Sequence, residues 1–599
     1  MKYEVPKKKD GGCQKMKCDG VKRMLTCMAW ALGGYILVQV IIYGALPFWK
    51  WKSGELGLAM LTVSACCLLI EDIKKFLAQI VAFAMLWMSP VFIGMVAGQP
   101  LSVIMQYRTI SFAFILSSLF IIIRDFLPYR NVRKICSFLF YGATFLVTTV
   151  ILGYYASSGS LLNASAVMAV FQTNPAEAKS YLDDFVPWQV WTAVLILLLA
   201  YVIVLNKWKL SVARIHGMMH HRAGKALLLF CILLAIFSLY RTRDTFYKHL
   251  TSETRQGLKA YTDFSLYREA RATDLTRELD GVTSTRPGVY ILVIGESQNK
   301  MHMSAYGYDR ETTPWLDSMK KDGHTVFFRD ARSCHTHTVP VLSYALTAKN
   351  QYDGRDLTKA VTLIEAAKAA GYETIWLSNQ VRYGAWDTPT SAIASEADHQ
   401  EWLNTHVGET TETTAYDGAL VEHLAHIKPE GKTLIVIHLM GNHGSYRDRY
   451  PQDAAVFDGD APVDLYDNSI RYNDSVVQHI YETAKAMPDF QGLVYCADHA
   501  DDVDRNLGHD ASHFTQDMTK IPFYMIFSDA YVRENPDTVQ ELKAHEGNRV
   551  TNDLLFNEIL AVMGIVIPQE YERENDLTSP AYNSDRSRFR TLHGQEELD

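Results

Sequence analysis

Three apolar stretches in the second half of the chain each run into side chains that can hold a cation. Val289-Tyr-Ile-Leu-Val-Ile-Gly is followed by Glu296, and Gly492-Leu-Val-Tyr-Cys-Ala by Asp498 and His499. Thr433-Leu-Ile-Val-Ile is followed by His438 and then Gly441-Asn442-His443-Gly444. Carboxylate oxygens with an imidazole nitrogen suit a borderline ion such as Zn2+, at distances of about 2.0–2.2 Å. Singly, each residue is ordinary, since a Glu after a strand commonly caps a helix and Asp-His is a common dipeptide. Their recurrence at three apolar ends is what points to a metal. A nucleophile is offered by Ser333-Cys334-His335-Thr336-His337-Thr338-Val339-Pro340, about 40 residues after Glu296. Thr338 directly precedes an apolar, helical-looking stretch. Alone it reads as an N-cap; beside a ligand set, its hydroxyl sits where helix amides favour phosphate and where a divalent cation promotes loss of its proton. Thr336 is the alternative nucleophile.

These groups share one site only if the elements before them are neighbours. From Gly288 onward short β-rich runs (Val289–Ile294, Glu373–Leu377, Thr433–His438, Gly492–Ala497 and Ile521–Phe527) alternate with helical segments such as Leu357–Ala370, closed by Gly371. That alternation predicts a mainly parallel sheet sandwiched by helices, in which ligands gather at the carboxyl ends of the strands.

The first half of the chain is different in kind. Apolar runs cover 24–48, 55–71, 76–97, 109–124, 135–155, 188–206 and 225–240. A spanning helix needs about 20 such residues, so the second and fourth are short and suit re-entrant or interfacial segments. The first run follows a basic tail, is too long for a signal peptide and has no small-residue cleavage site after it, so we read it as a retained anchor. Lys and Arg concentrate in 1–23, 71–75, 124–134 and 206–225, whereas the alternate connections carry only Lys50, Lys52, Arg108 and Lys179. This bias puts Met1 inside and the C-terminal region outside, with an odd number of spans. The organisation we expect is a cytoplasmic basic tail (1–23), a transmembrane bundle of five to seven helices (24–240), an amphipathic connector (241–287) and an external catalytic domain (288–599). One outer loop, Gln172-Thr173-Asn174-Pro175-Ala176-Glu177, places polar Thr173, Asn174 and Glu177 at the membrane surface, as either a lipid head-group contact or a plain solvated turn.

Composition removes other classes. The net charge is −8, and no basic stripe interleaved with aromatics appears in the C-terminal half, so no nucleic-acid partner is expected. Seven of the nine cysteines precede residue 240; only Cys334 and Cys496 follow, enough for one bridge but not for a disulfide framework.

Ile294-Gly295-Glu296-Ser297, running on through His302-Met303-Ser304-Ala305-Tyr306-Gly307-Tyr308-Asp309-Arg310-Glu311-Thr312-Thr313-Pro314, together with His438-Leu439-Met440-Gly441-Asn442-His443-Gly444 and Asp498-His499, closely resembles the phosphoethanolamine transferases of Gram-negative bacteria, of the alkaline phosphatase/sulfatase type. The Gln172–Glu177 loop looks like that family's periplasmic loop near the lipid donor, and the resemblance covers roughly residues 160–570. It implies Zn2+ held by Glu296, Thr338, Asp498 and His499, with Thr338 also the nucleophile and His443 on the transferred phosphate. It also implies a second histidine about a dozen residues after Asp498-His499, either His509, which we prefer, or His513. His438, Asn442 and the remaining one of that pair join Thr173, Asn174 and Glu177 as substrate contacts. Members usually have five spanning helices and, in the branch that modifies lipid A, several disulfides; the surroundings of Thr338 look more like the branch that decorates lipopolysaccharide core sugars. The implied reaction moves the head group of phosphatidylethanolamine through a phospho-threonine to a lipopolysaccharide, in a monomer at the bacterial inner membrane with its catalytic domain in the periplasm. A phosphoglycerol-type lipid transferase is the nearest alternative. A sulfatase-like hydrolase would need a Cys/Ser-x-Pro-x-Arg signature that Cys334–Thr338 lacks, and a receptor or transporter that has lost catalysis would not need the intact Glu296, Thr338, Asp498 and His499.

Overall fold

A computed structural model describes residues 54–70, 72–97, 101–127, 129–159, 188–207, 222–272, 281–381, 389–404 and 415–599, with a few single positions besides. The basic tail, nearly all of the 24–48 run, and Thr173, Asn174 and Glu177 lie outside the described residues. The chain divides into two compact units, one of Met1–Ala164 with Val186–Thr254 and the other of Ser165–Phe185 with Arg255–Asp599.

The N-terminal unit is helical. Its apolar helices are Gly54–Cys67, Ile73–Trp87, Ser89–Val96, Val103–Phe126, Arg130–Ser158, Trp188–Lys207 and Arg222–Arg241. Val103–Arg124, Asn131–Ser158 and Gly224–Arg241 are long and apolar enough to cross a membrane. Ile73–Trp87 and Ser89–Val96 form a pair bent by 50°. Pro90 stands at the start of the second piece; without an N–H, and with its ring crowding the preceding turn, it cannot continue the first. The run expected to be short at 109–124 belongs to a 24-residue helix, about 36 Å long at 1.5 Å per residue. Ser102 caps it by accepting the Met105 N–H at 3.4 Å, so the helix begins before the polar Gln106 and Arg108 that interrupt the apolar run. Gly54–Cys67 is short as expected, with 14 residues or about 21 Å, against a hydrocarbon core of about 30 Å. Leu195, Ile196, Phe138, Leu139, Phe230, Leu233 and Phe237 face outward from three of these helices, as lipid-facing residues must. The connector contains one long helix, Phe246–Ala272.

The C-terminal unit is built on a seven-stranded sheet. In chain order its strands are β1 (Val289–Gly295), β2 (Thr325–Phe327), β3 (Glu373–Val381), β4 (His399–Asn404), β5 (Thr433–His438), β6 (Phe490–Ala497) and β7 (Phe523–Phe527). Across the sheet the order is β2-β7-β6-β1-β5-β3-β4. The pairs β6-β1, β1-β5, β5-β3 and β3-β4 are parallel, and β7 runs against both β6 and β2. Every residue of β1, β5 and β6 is buried. Side chains alternate between faces along a strand, so burial at both parities means that both faces are covered, which is why these strands read as unbroken apolar runs.

Two boundaries differ from the sequence reading. The segment 357–370 is a 3-10 turn, Leu357–Lys359, and then a separate helix, Leu363–Ala369. Thr362 accepts the Glu365 N–H and Glu365 returns the bond, a capping box that starts a helix afresh. β7 begins at Phe523 rather than Ile521, because Pro522 has no N–H for the ladder; its carbonyl instead accepts the Ala497 N–H at 3.2 Å. Ahead of Gly288, Thr283–Ser284 pairs antiparallel with Ile565–Val566.

Candidate metal centre

Parallel pairing brings the separate ends of the chain to one sheet edge. In register, Ile294 lies beside His438 and Cys496, and Gly295 beside Ala497. The residues that follow, Glu296 and Asp498, therefore emerge side by side, and the Asp498 N–H reaches the Gly295 carbonyl at 2.9 Å. Glu296, Asp498 and His499 are all about 1% exposed, with ligand atoms within 4.8 Å of one another.

Thr338 is brought to them from a different element. Ser333 Oγ donates to the Asp498 carbonyl at 2.7 Å. Asn552 donates to the same carbonyl at 2.6 Å while accepting the Cys334 N–H at 2.9 Å. Thus tethered, the segment enters helix Thr338–Ala345 with His337, not Thr338, at the N-cap. Thr338 Oγ1 lies 3.1 Å from Glu296 Oε2 and 3.3 Å from His499 Nε2. Thr336 is turned away: it is fully buried and its hydroxyl bonds His337 Nδ1 at 3.0 Å.

The electrostatics are those of a cluster short of positive charge. Burial, reinforced by Asp498, pushes the Glu296 carboxyl up to about 6. Burial alone would lower His499, but Asp498 and Glu296 beside it raise it to about 9. In the absence of a cation the ring must keep a proton to balance the carboxylates. Asp498 Oδ2 is buried with no hydrogen-bond partner. A buried carboxylate oxygen left open among other donors fits a cation better than it fits a protein hydrogen bond. Two carboxylates and an imidazole are donors of the kind Zn2+ takes in sites that keep a fourth position open, and Thr338 Oγ1 stands beside them.

The surrounding contacts fix these groups. Ser297 adopts φ 54, buried and in the left-handed region. From there its hydroxyl donates to Glu296 Oε1 at 2.9 Å and its N–H to Asp498 Oδ1 at 3.0 Å, so one strained residue holds both carboxylates. Gln380, at the end of β3, donates to Glu296 Oε2 at 3.2 Å and to the Leu439 carbonyl at 2.9 Å. Gly441 lies at φ +53, and a Cβ there would meet the Glu296 carbonyl oxygen at 2.8 Å. Buried Asp417 accepts the Met440 and Gly441 N–H groups at 2.9 and 2.8 Å, holding that turn closed. None of Ser297, Gln380, Asp417 or Asn552 was singled out from sequence. The Gly-x-His turn signals a close approach, but polar residues scattered over four elements carry no spacing signal.

A cluster of imidazoles adjoins the carboxylates. The His509 ring lies 4.4 Å from that of His499, 6.2 Å from His443 and 5.3 Å from His337. Asp501 accepts from His509 Nδ1 at 2.8 Å and from the Tyr446 hydroxyl at 2.7 Å, leaving His509 Nε2 for other contacts. His513 sits in a short 3-10 turn, with Nδ1 3.6 Å from Asp510. Burial, then Arg449 and His509, press His443 down to about 3. His438 is buried with both ring nitrogens unpartnered, edge-on to Trp376 at 6.1 Å, and burial lowers it to about 4. Asn442 donates its side-chain N–H to Ser469 at 2.7 Å. Cys334 and Cys496 are buried free thiols.

The stretch that carries this sheet and this donor set, residues 289–565, matches the sulfatase family model. The chain is also similar to phosphoethanolamine transferases. It is 28% identical over 468 residues to phosphoethanolamine transferase EptC of Escherichia coli (strain K12), covering 69% of this chain and 80% of that protein. It is 27% identical over 469 residues to phosphoethanolamine transferase CptA of Salmonella typhimurium (strain LT2), with the same coverage. Among solved structures, the integral membrane protein lipooligosaccharide phosphoethanolamine transferase A (EptA) of Neisseria meningitidis superposes with a TM-score of 0.58 at 19% identity. That superposition covers 84% of this chain and 98% of EptA; at that identity the likeness is one of fold.

Proposed function

We propose that the chain is a zinc-dependent, multi-pass inner-membrane enzyme that moves phosphoethanolamine from phosphatidylethanolamine to a lipopolysaccharide hydroxyl, on a core sugar or on lipid A. The observation that carries this reading is Thr338 Oγ1 within 3.1 and 3.3 Å of Glu296 and His499, beside Asp498. Glu296, Asp498, His499 and Thr338 would hold the ion. When bound, it supplies positive charge that lowers the pKa of the Thr338 hydroxyl and offsets charge on the phosphoryl oxygens. Thr338 oxygen then attacks phosphorus, the bond to diacylglycerol oxygen breaks, and the leaving oxygen takes a proton. This yields a phosphoethanolamine ester of Thr338. In the second step the acceptor hydroxyl oxygen attacks phosphorus, loses its proton, and the Thr338 oxygen departs. We assign to His443 and His509 the hydrogen bonds to the phosphoryl oxygens, and to His509, whose Nδ1 is held by Asp501, the passing of the proton. His438, Asn442 and His513 are assigned to substrate contact, as are Thr173, Asn174 and Glu177 near the membrane surface. The catalytic domain stands in the periplasm and the working unit is a monomer. Phosphoglycerol transfer is the competing reading for the same site. The formylglycine route is not favoured, since Cys334–Thr338 lacks the Cys/Ser-x-Pro-x-Arg signature.

The test is transfer itself. Full-length protein with phosphatidylethanolamine labelled in the ethanolamine, and lipopolysaccharide as acceptor, should label the lipopolysaccharide. Thr338→Ala should lower that rate by about 10³-fold or more, the scale expected on losing a nucleophile. Equal transfer from phosphatidylglycerol would replace the assigned donor, and full activity in Thr338→Ala would overturn the reading.

A further inference from the structure

The sulfatase match ends at residue 565, yet the chain beyond it returns to the segment that carries Thr338. Arg590–Thr591 pairs antiparallel with Glu596–Glu597, and the tip of this hairpin holds Leu592 at φ 50 and His593 at φ 52. Two successive non-glycine residues in the left-handed region persist only where their surroundings hold them. Here the surroundings are the two flanks of Thr338. On the N-terminal flank, Thr591 Oγ1 donates to the Ser333 carbonyl at 2.8 Å and the His593 N–H to the Cys334 carbonyl at 3.1 Å. On the C-terminal flank, His593 Nε2 reaches the Pro340 carbonyl at 3.1 Å, and the imidazole stacks on Tyr344 with centroids 3.9 Å apart and planes 4° from parallel. Burial lowers His593 to about 4, so the ring is neutral and Nε2–H is the donor to Pro340.

We infer that His593 is a positioning residue for the transfer: from the hairpin tip it grips the backbone on both sides of Thr338 and so fixes the nucleophile oxygen against the metal ligands. This rests on Thr338 being the nucleophile. The argument is one of leverage. The carbonyls of Ser333, Cys334 and Pro340 bracket a turn of a few residues, and Thr338 Oγ1 meets Glu296 and His499 at 3.1 and 3.3 Å. A displacement of about 1 Å at a reacting atom costs on the order of 100-fold in rate. The three other ligands, Glu296, Asp498 and His499, stand on strand ends that the hairpin tip does not touch through any of these bonds. Loss of the grip is therefore expected to slow chemistry and leave the ion in place.

The experiment uses the full-length protein in phosphatidylethanolamine-containing vesicles, reading single-turnover formation of the phosphoethanolamine adduct, KM for the lipid, bound zinc and melting temperature. His593→Phe keeps a flat ring on Tyr344 but has no N–H for Pro340, and His593→Gln keeps an N–H near the Nε2 position. His593→Phe should slow adduct formation about 10- to 100-fold, with KM, zinc content and melting temperature unchanged, and His593→Gln should restore most of the rate. An unchanged rate in His593→Phe, a change confined to KM, or a loss that tracks bound zinc or melting temperature would overturn the inference alone. Absence of any adduct in the unaltered protein would overturn the nucleophile assignment and this inference with it.

Discussion

At the scale of single residues, the centre sets two buried carboxylates, Glu296 and Asp498, against one buried imidazole, His499. Metal and protons therefore compete for the same atoms, and the sign follows from the shifts. A bound ion requires Glu296 ionised, and that carboxyl sits at about 6; it also requires His499 neutral, and that ring sits at about 9. Between these values binding expels one proton, so zinc affinity should rise about tenfold per pH unit; below the lower value it expels two and should rise about a hundredfold per unit. Competition titration against a metal buffer from pH 5.5 to 8.5 measures this slope directly. Gln380→Met removes the N–H that holds Glu296 Oε2 and should weaken zinc about 10- to 100-fold, the usual effect of losing a partner behind a ligand; the same titration reads it. The ligands themselves were legible in sequence because each follows an apolar strand. Gln380 and Ser297 were not, since neither a lone amide on β3 nor a serine after a glutamate has any signature until topology sets it against Glu296.

At the scale of elements, the parallel pairing of β6, β1, β5 and β3 does most of the work of assembly. It was foreseeable because strands buried on both faces read as Val289–Ile294 or Thr433–His438 do. The turn after β5 is the element on which the site rests most heavily. Gly441→Ala would force a Cβ against the Glu296 backbone in a left-handed conformation, and should cost about 1–3 kcal/mol. Asp417→Ala would leave the buried Met440 and Gly441 N–H groups unpaired, at about 1–3 kcal/mol each. Chemical denaturation of the zinc-loaded protein checks both, and in each case zinc affinity should fall as well, because the turn packs on Glu296. The divided helix at 357–370 shows why element ends were less legible. A composition rich in Leu, Ala and Lys favours helix throughout, and only the Thr362–Glu365 capping box says where it starts.

At the scale of the whole molecule, apolar helices and a polar α/β domain share one chain, which suits a reaction whose donor is a lipid. The contrast in composition at about residue 240 made that division plain from sequence. The extent of individual helices was less so, because Gln106 and Arg108 hide the start of Val103–Phe126 from any reading based on apolar runs. The hairpin at 590–597 was invisible, since its residues matter only through the segment they grip. The proposed periplasmic placement of the C-terminal unit predicts that protease added to spheroplasts digests residues 281–599 and spares the helical unit. The central claim, that Thr338 carries the phosphoryl group beside its ligands, is tested most directly by quenching the zinc-loaded protein with labelled phosphatidylethanolamine in the absence of acceptor and mapping the label by peptide mass spectrometry. One phosphoethanolamine on Thr338, absent after chelation and absent in Glu296→Gln, is the predicted result. Label on Thr336 or on any other residue, or label that survives loss of the metal, would contradict it.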